Sequence, residues 1–351
     1  MLFVILHTIV TYAFLLPSEF TFGVTQEFQL QGGFVRFYQG SGMAVARFFL
    51  FALYAYAIAS LLKTEKMLIA FALAYGAGLT IMMTLGGYSV ISREISDMRL
   101  SAGFLNPNSF GASALICIFL NLFILVKYHS GKLIKIFAII FLGTGMFGLL
   151  SSGSRNSILG LVVGLFVLLL YIPKVKMKIK IVACIVFIIT LIGFFLPQHV
   201  WQTLNVRFNF IEKIKEGGIE NANVRFGIWK DYIREMPEYI LTGVGFNRST
   251  EATKLSYTTR NNWIPHNRYL HTIVEFGFIG FILFMAGLWQ LWKRISYHSQ
   301  KMKIPPSNYV ISGLFSAWII MLLFGSYSGS RDLWIFLGII ASYGTMKINE
   351  N

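Results

Sequence analysis

The chain has 351 residues, a net charge of +15 and 56% hydrophobic residues, but only 13% charged residues, with a mean hydropathy of +0.64. Soluble domains carry about 25% charged residues, so this composition excludes a soluble globular protein. The basic residues lie in short loops beside apolar runs, which indicates contact with anionic lipid rather than with nucleic acid.

The apolar runs are about 15–25 residues long, enough to cross a hydrocarbon core of roughly 30 Å. They predict an all-α fold, a polytopic transmembrane bundle of about ten helices. The predicted spans cover residues 2–16, 42–62, 66–85, 107–126, 133–151, 155–172, 179–196, 267–291, 308–324 and 332–346. The first run lacks the basic start and the cleavage site of a signal peptide, so it is predicted to be a retained span.

The distribution of lysine and arginine predicts the orientation in the membrane. Lysines fill the even-numbered connections, whereas the odd-numbered connections carry arginines, and Arg294 is the only arginine on the lysine side. Short basic loops stay in the cytoplasm. Both termini are therefore predicted to be cytoplasmic, and most arginines face the opposite side.

One connection on that opposite side is far longer than the others. It divides the predicted chain into spans 1–7 (residues 1–196), a large loop (residues 197–265) and spans 8–10 (residues 266–351). Long loops in compact proteins are usually functional or disordered, and the many aromatic residues of this loop are not typical of disorder. A partly helical extracytoplasmic cap is the prediction.

Residues 223–236 of this cap predict one helix, with Asn223 as its N-cap and Pro237 ending it. One face carries Arg225, Trp229, Tyr232 and Met236, and the predicted solvated face carries Lys230, Asp231, Arg234 and Glu235. An arginine on a buried face needs a partner. A bound anion and an acid of the cap, such as Glu235, are both open as that partner.

Three short stretches combine side chains suited to anion binding and proton transfer. The first, residues 151–157, includes Ser154 as a predicted helix N-cap followed by Arg155. The second is the Arg225 helix, followed by Gly243 and Gly245, which predict a tight turn. The third runs from Pro265 through His266, Asn267 and Arg268 into the eighth predicted span, with Glu275, Gly277 and Gly280.

The order and spacing of these stretches, with Asn106-Pro107-Asn108 before the fourth span, resemble the O-antigen ligase and polymerase family of bacterial membrane glycosyltransferases. The resemblance covers roughly residues 100 to 290. It implies transfer of a glycan from undecaprenyl pyrophosphate to a sugar hydroxyl at the outer face of the inner membrane, in the biosynthesis of lipopolysaccharide or another surface polysaccharide. The acceptor is lipid A core for a ligase and another lipid-linked repeat unit for a polymerase. The implied partners are these glycans, the lipid bilayer and other polysaccharide-assembly membrane proteins, but not nucleic acid.

The resemblance also implies roles for individual residues. Arg155 and Arg225 would bind the pyrophosphate, and His266 would take the proton of the acceptor hydroxyl. Supporting residues would be Trp229, Asn267, Arg268 and Glu275. The family's enzymes of this type are metal-independent, and we accordingly expect neither a metal site nor a cofactor.

Each assignment has a structural alternative. Arg155 also suits an interfacial anchor, and His266 also suits a hydrogen bond between the loop and the top of the span. Glu275 is expected to be structural, with Arg268 or a neighbouring helix as its partner, because a lone carboxylate is costly in lipid.

Two questions of function stay open at the level of sequence. We favour a polymerase over a ligase, because the chain is short and no feature is specific for a core-lipid acceptor. A flippase for lipid-linked oligosaccharides is the alternative function, although the chain shows no clear internal repeat.

Overall fold

The computed structural model of the chain describes residues 24–25, 38–39, 41–91, 102, 106–126, 131–172, 175–195, 224–249, 252, 264–301, 307–325 and 330–346. These residues are mainly α-helical. Two antiparallel strands of two residues each, β1 (Val24–Thr25) and β2 (Tyr38–Gln39), are the exception among them. The predicted all-α class is confirmed for this part of the chain.

The described helices follow the predicted spans closely. They are α1 (Ser41–Leu61), α2 (Glu65–Ile91), α3 (Pro107–Val126), α4 (Lys132–Ser152), α5 (Arg155–Tyr171), α6 (Val175–Phe195), α7 (Val224–Arg234), α8 (Met236–Tyr239), α9 (Arg268–Lys301), α10 (Ser307–Leu323) and α11 (Arg331–Tyr343). Each predicted span from the second onward coincides with one of them. The predicted span at residues 2–16 lies outside the described residues.

Several of these helices have the length and composition of membrane spans. Among the described residues, four segments are long and apolar enough to cross a membrane: Glu65–Leu85, Pro107–Val126, Lys132–Ser152 and Arg268–Ser296. Shorter apolar helices are Val45–Leu61, Arg155–Tyr171 and Tyr309–Leu323. The chain is therefore a multi-pass membrane protein, while the count of about ten spans stays a prediction.

The chain divides into two compact units. The first unit comprises Met1–Tyr54, Lys213–Trp289 and Leu322–Arg331. The second unit comprises Ala55–Glu212, Gln290–Met321 and Asp332–Asn351.

Helix α3 is the centre of the second unit. Its residues from Phe110 to Ile124 are buried, and it packs against α2, α4 and α5. The helix begins as predicted, since the Asn106 side chain accepts a hydrogen bond from the backbone N–H of Ser109 at 2.9 Å and Pro107 occupies the first turn.

Small residues allow α5 and α10 to approach closely within the second unit. A Cβ atom added at Gly164 would lie 2.7 Å from the carbonyl oxygen of Gly313, and one added at Gly313 would lie 2.6 Å from that of Gly164. Gly160, one turn earlier on α5, faces Met321 and Ala317 in the same way. This is the small-xxx-small pattern that brings two helix backbones together in membranes.

Helix α9 contains a bend at Gly277 that its hydropathy did not predict. Gly277 has φ 67° and ψ −170°, which is not helical, so α9 consists of two helical segments joined at this residue. The rings of Tyr269 and Phe284 lie 6.1 Å apart, whereas fifteen residues of straight helix would separate them by about 22 Å. The predicted span over residues 267–291 coincides with the apolar segment Arg268–Ser296, but the chain bends at Gly277.

Candidate active site

Helix α7 packs on the first segment of α9 in the first unit. Their shared core contains Ile228, Tyr232, Tyr239, Ala252, Leu270 and Val274, with Trp229, Met236 and Val244 packed against it. The predicted apolar face of α7 is thus confirmed. Its predicted solvated face was wrong at Asp231, which is buried and lies 3.5 Å from the guanidinium of Arg234.

The predicted end of this helix also needs correction. Helix α7 stops at Arg234, and Pro237 lies in the first turn of α8 instead of following one continuous helix. Proline suits a first turn because its missing N–H would have no partner there. The predicted N-cap, Asn223, lies outside the described residues.

Arg225 reaches a helix end that is distant in sequence. Its Nη1 donates a hydrogen bond of 2.7 Å to the carbonyl oxygen of Phe324, the residue directly after α10. Carbonyl groups at a helix C-terminus lack intrahelical partners and favour a cation. Glu235, the acid considered as an alternative partner for Arg225, instead accepts a hydrogen bond of 3.0 Å from Nε of Arg234.

Trp229 connects α7 to the loop that holds His266. The indole Nε1 donates a hydrogen bond of 2.7 Å to the carbonyl oxygen of Pro265. The indole ring lies 5.9 Å from the ring of Phe324. Trp229 therefore contacts both the residue before His266 and the residue that accepts from Arg225.

His266 has an unusual backbone conformation and an unusual pKa. Its φ is 50°, in the left-handed region that few residues other than glycine adopt. Burial, together with the nearby Arg225 and His271, lowers the pKa of its imidazole from 6.5 to about 4. At neutral pH the ring is therefore uncharged, the form that can accept a proton.

Asn267 explains how this loop passes into α9. Its side-chain Oδ1 accepts a hydrogen bond from the N–H of Leu270 at 3.1 Å, and its carbonyl accepts one from the N–H of His271 at 2.8 Å. Asn267 is thus the N-cap of α9. These hydrogen bonds fix the backbone directly after His266 at the start of the helix.

The first segment of α9 carries a buried charged cluster. Oε1 of Glu275 lies 3.1 Å from Nε2 of His271 and accepts a hydrogen bond of 2.8 Å from the backbone N–H of Asn247. Arg268 is buried with its guanidinium 5.7 Å from the centre of the Phe284 ring. The direct partners of Glu275 are therefore His271 and Asn247, while Arg268, the predicted partner, interacts with it electrostatically.

The cap also completes the break in α9. The carbonyl groups of Val274 and Glu275 accept hydrogen bonds from the N–H groups of Val244 and Gly245 at 2.8 Å and 3.0 Å. The N–H of Phe278 donates to the carbonyl of Ile240 at 2.6 Å. Backbone groups that the break removes from the helix are satisfied in this way.

Glycines permit the close approach between the cap and this break. Gly243 and Gly245 have φ angles of 71° and 102°, so the predicted tight turn is confirmed. A Cβ atom at Gly277 would lie only 2.3 Å from the carbonyl oxygen of Leu241. Any other residue at position 277 would be strained by the positive φ, and its Cβ would clash with the backbone of Leu241.

Arg155 belongs to the second unit. It is the first residue of α5, and the side chain of Ser154 accepts a hydrogen bond from the N–H of Ser157, which confirms the predicted N-cap. The next residue, Asn156, donates a hydrogen bond of 2.9 Å to the carbonyl of Met321. Arg155 itself is half-buried.

Arg225, Trp229, His266 and Asn267 therefore come together in the first unit, whereas Arg155 lies in the second. The hydrogen bonds of Phe324 and Asn247 could not be predicted from the sequence, because both residues make them through backbone groups. No role was predicted for His271, although its i, i+4 spacing to Glu275 was visible. Among the described residues, no group of three or more His, Cys, Asp or Glu side chains has the arrangement of a metal site.

Part of the chain matches a known protein family. Residues 136–285 match the family model described as O-antigen ligase. This region extends from α4 to the second segment of α9 and includes Arg155, Arg225 and His266. No curated protein matches the chain.

Proposed function

We propose that this chain, whose residues 136–285 belong to the O-antigen ligase family, is a membrane glycosyltransferase that moves a glycan from undecaprenyl pyrophosphate to a sugar hydroxyl. The reaction takes place at the outer face of the bacterial inner membrane and serves surface polysaccharide synthesis. The site contains Arg225 of the cap and His266, which directly follows the cap, and both termini lie in the cytoplasm.

The observation that carries this proposal is the position of Trp229, whose indole donates to the residue before His266 and packs on Phe324, the residue whose carbonyl accepts from Arg225. A glycosyl transfer from a pyrophosphate needs a proton acceptor for the attacking hydroxyl and a cation for the departing phosphate. His266 and Arg225 supply these two groups within one site. Arg225 binds the backbone of Phe324 through Nη1, which orients its planar donor group.

The reaction forms one bond and breaks one bond at the anomeric carbon of the donor glycan. The acceptor hydroxyl gives its proton to His266 while its oxygen forms a bond to the anomeric carbon of the donor glycan. The bond between that carbon and the pyrophosphate oxygen breaks, and undecaprenyl pyrophosphate leaves with the electron pair. Arg225 stabilises the negative charge that develops on the leaving group.

A bound pyrophosphate would also change His266. Burial and the positive charge of Arg225 lower the pKa of its imidazole. The negative charge of the substrate would offset that effect and raise the pKa towards the operating pH, where a general base works best. Substrate binding would thus make His266 a stronger base.

We assign Arg155 as a second cation for the pyrophosphate. Its support is the family resemblance and its place at the start of α5, where the positive end of the helix dipole favours an anion. For the acceptor we favour another lipid-linked repeat unit over lipid A core. Deletion of a polymerase would leave single repeat units on the core lipid, whereas deletion of a ligase would leave the core bare.

The proposal is tested with purified protein in vesicles that contain a lipid-linked repeat unit. We expect Arg225→Lys to lower the rate of glycosidic-bond formation by about 10- to 100-fold, because lysine keeps the charge but loses the bidentate donor geometry. Arg234→Lys is the matched control, since Arg234 is an exposed arginine on the same helix. Equal loss in both variants, or translocation of the glycolipid without bond formation, would contradict the proposal.

A further inference from the structure

Three aromatic side chains gather between Arg225 and His266. The rings of Phe226 and Trp229 lie 5.3 Å apart at 81°, and those of Trp229 and Phe324 lie 5.9 Å apart at 31°. All three side chains are half-buried. We call this group, Phe226, Trp229 and Phe324, the aromatic platform.

The platform is attached to both groups of the proposed reaction. Its Trp229 donates to the carbonyl of Pro265, the residue before His266. The carbonyl of its Phe324 accepts the hydrogen bond from Arg225. A ligand on the platform would therefore lie beside the proton acceptor and the phosphate-binding cation.

These rings lie at the margin of a hydrophobic core, against which Trp229 packs. The core between α7 and α9 contains fully buried rings such as Tyr232, which has no exposed surface. The platform rings keep part of their surface accessible. Small-molecule sites commonly combine such aromatic surface with a few convergent polar groups.

The chemistry of an aromatic surface beside a general base indicates its ligand. One face of a pyranose ring presents C–H groups, which are polarised positively by the neighbouring oxygens. Aromatic rings present a negative face and bury apolar surface. A sugar can therefore stack on a ring while its hydroxyl groups point to hydrogen-bonding partners at the edge.

We propose that the aromatic platform binds a sugar ring of the acceptor glycan and directs the attacking hydroxyl towards His266. This inference rests on the proposed function and adds the subsite that recognises the acceptor. The acceptor is favoured over the donor sugar because Trp229 is anchored to the residue that precedes His266, whose partner in the reaction is the acceptor hydroxyl.

The test uses two substitutions at Phe226, which does not supply a hydrogen bond to the site. Phe226→Leu keeps an apolar side chain but removes the ring, whereas Phe226→Tyr keeps the ring. At saturating donor, we expect Phe226→Leu to raise the KM for the acceptor glycan by about fivefold to tenfold, the effect of one lost aromatic contact. Phe226→Tyr should stay within about twofold of the original protein, and neither variant should change the KM for the donor.

Other results would overturn the inference. Equal acceptor KM values in the original protein and both variants would show that no sugar stacks on Phe226. A raised donor KM with an unchanged acceptor KM would assign the platform to the donor glycan. If the original protein formed no glycosidic bond in this assay, the proposed function would fail first, and the acceptor subsite would fail with it.

Discussion

At the scale of single residues, the site depends on the hydrogen bond from the side chain of Arg225 to the backbone carbonyl of Phe324, 99 residues further along the chain. The helical spacing of Arg225 predicted that it shares a face with Trp229 and Tyr232. Its partner could not be predicted, because the carbonyl of Phe324 is a backbone group that follows a different helix. Sequence patterns report side-chain chemistry, whereas a free carbonyl depends on where a helix ends.

For His266, too, the sequence predicted part of the site but not the contacts that shape it. The family resemblance predicted that it is a proton acceptor, but its positive φ and its low pKa come from the folded surroundings. Burial and the charge of Arg225 both disfavour the imidazolium form. Neither effect is visible without the contacts between α7 and the loop.

The low pKa predicts how transfer depends on pH. Because burial and the charge of Arg225 lower the pKa of His266 to about 4, kcat/KM should stay nearly constant from neutral pH down to about 5 and fall only below that. Removing the positive charge in Arg225→Gln should raise the pKa and move the acidic limb of the profile towards 6.5, the ordinary value for histidine. The exposed variant Arg234→Gln should leave the limb in place.

The measurement is the pH profile of kcat/KM for the three proteins. An acidic limb near pH 6.5 in the original protein would contradict the assigned environment of His266. A limb that does not move in Arg225→Gln would show that Arg225 does not act on this histidine.

At the scale of elements, nine predicted spans matched helices because long apolar runs report helices well. The break in α9 was missed because Gly277 lies inside an uninterrupted apolar run. Its conformation depends on backbone hydrogen bonds that the residues around it form with Ile240, Val244 and Gly245 of the cap. Hydropathy does not contain that information.

The break predicts opposite effects for two glycines of α9. Gly277→Ala would force an alanine to φ 67° and bring its Cβ within 2.3 Å of the Leu241 oxygen, so it should destabilise the protein by more than the roughly 1–3 kcal/mol of backbone strain alone. At Gly287, a Cβ would meet nothing within 4 Å. Gly287→Ala should therefore be neutral or stabilise the helix by about 0.5–1 kcal/mol.

Thermal denaturation of the detergent-solubilised proteins, together with transfer activity, measures both changes. Equal melting temperatures for Gly277→Ala and the original protein would mean that α9 does not bend at this residue.

The close approach of α5 and α10 in the second unit gives a second prediction at this scale. A methyl group at Gly164 would lie 2.7 Å from the backbone oxygen of Gly313. Gly164→Ala should therefore cost about 1–3 kcal/mol, as overpacked cores do.

Gly143 of α4 is the matched control, since a Cβ there would meet nothing within 4 Å. Gly143→Ala should retain the melting temperature. If the two variants melt at the same temperature, the glycines of α5 and α10 do not set this contact.

At the scale of the whole molecule, the lysine and arginine distribution predicts one orientation. The first predicted even-numbered connection contains Lys63, whereas Lys230 lies on the cap. Both residues are exposed. They should therefore face opposite sides of the membrane.

Single cysteines test this orientation after Cys117 and Cys184 are replaced by alanine. In spheroplasts, a membrane-impermeant maleimide should label Lys230→Cys at once and Lys63→Cys only after the membrane is permeabilised. The reverse order of labelling would exclude an extracytoplasmic cap and the site that depends on it.

The central claim is that His266 accepts the proton of the acceptor hydroxyl. His266→Asn tests it most directly, because asparagine tolerates the left-handed conformation but does not serve as a base at neutral pH. In a single-turnover assay with bound donor, we predict glycosidic-bond formation to fall by about 10²- to 10⁴-fold, the contribution of a general base, while donor binding and melting temperature are retained. A transfer rate within twofold of the original protein would contradict the account.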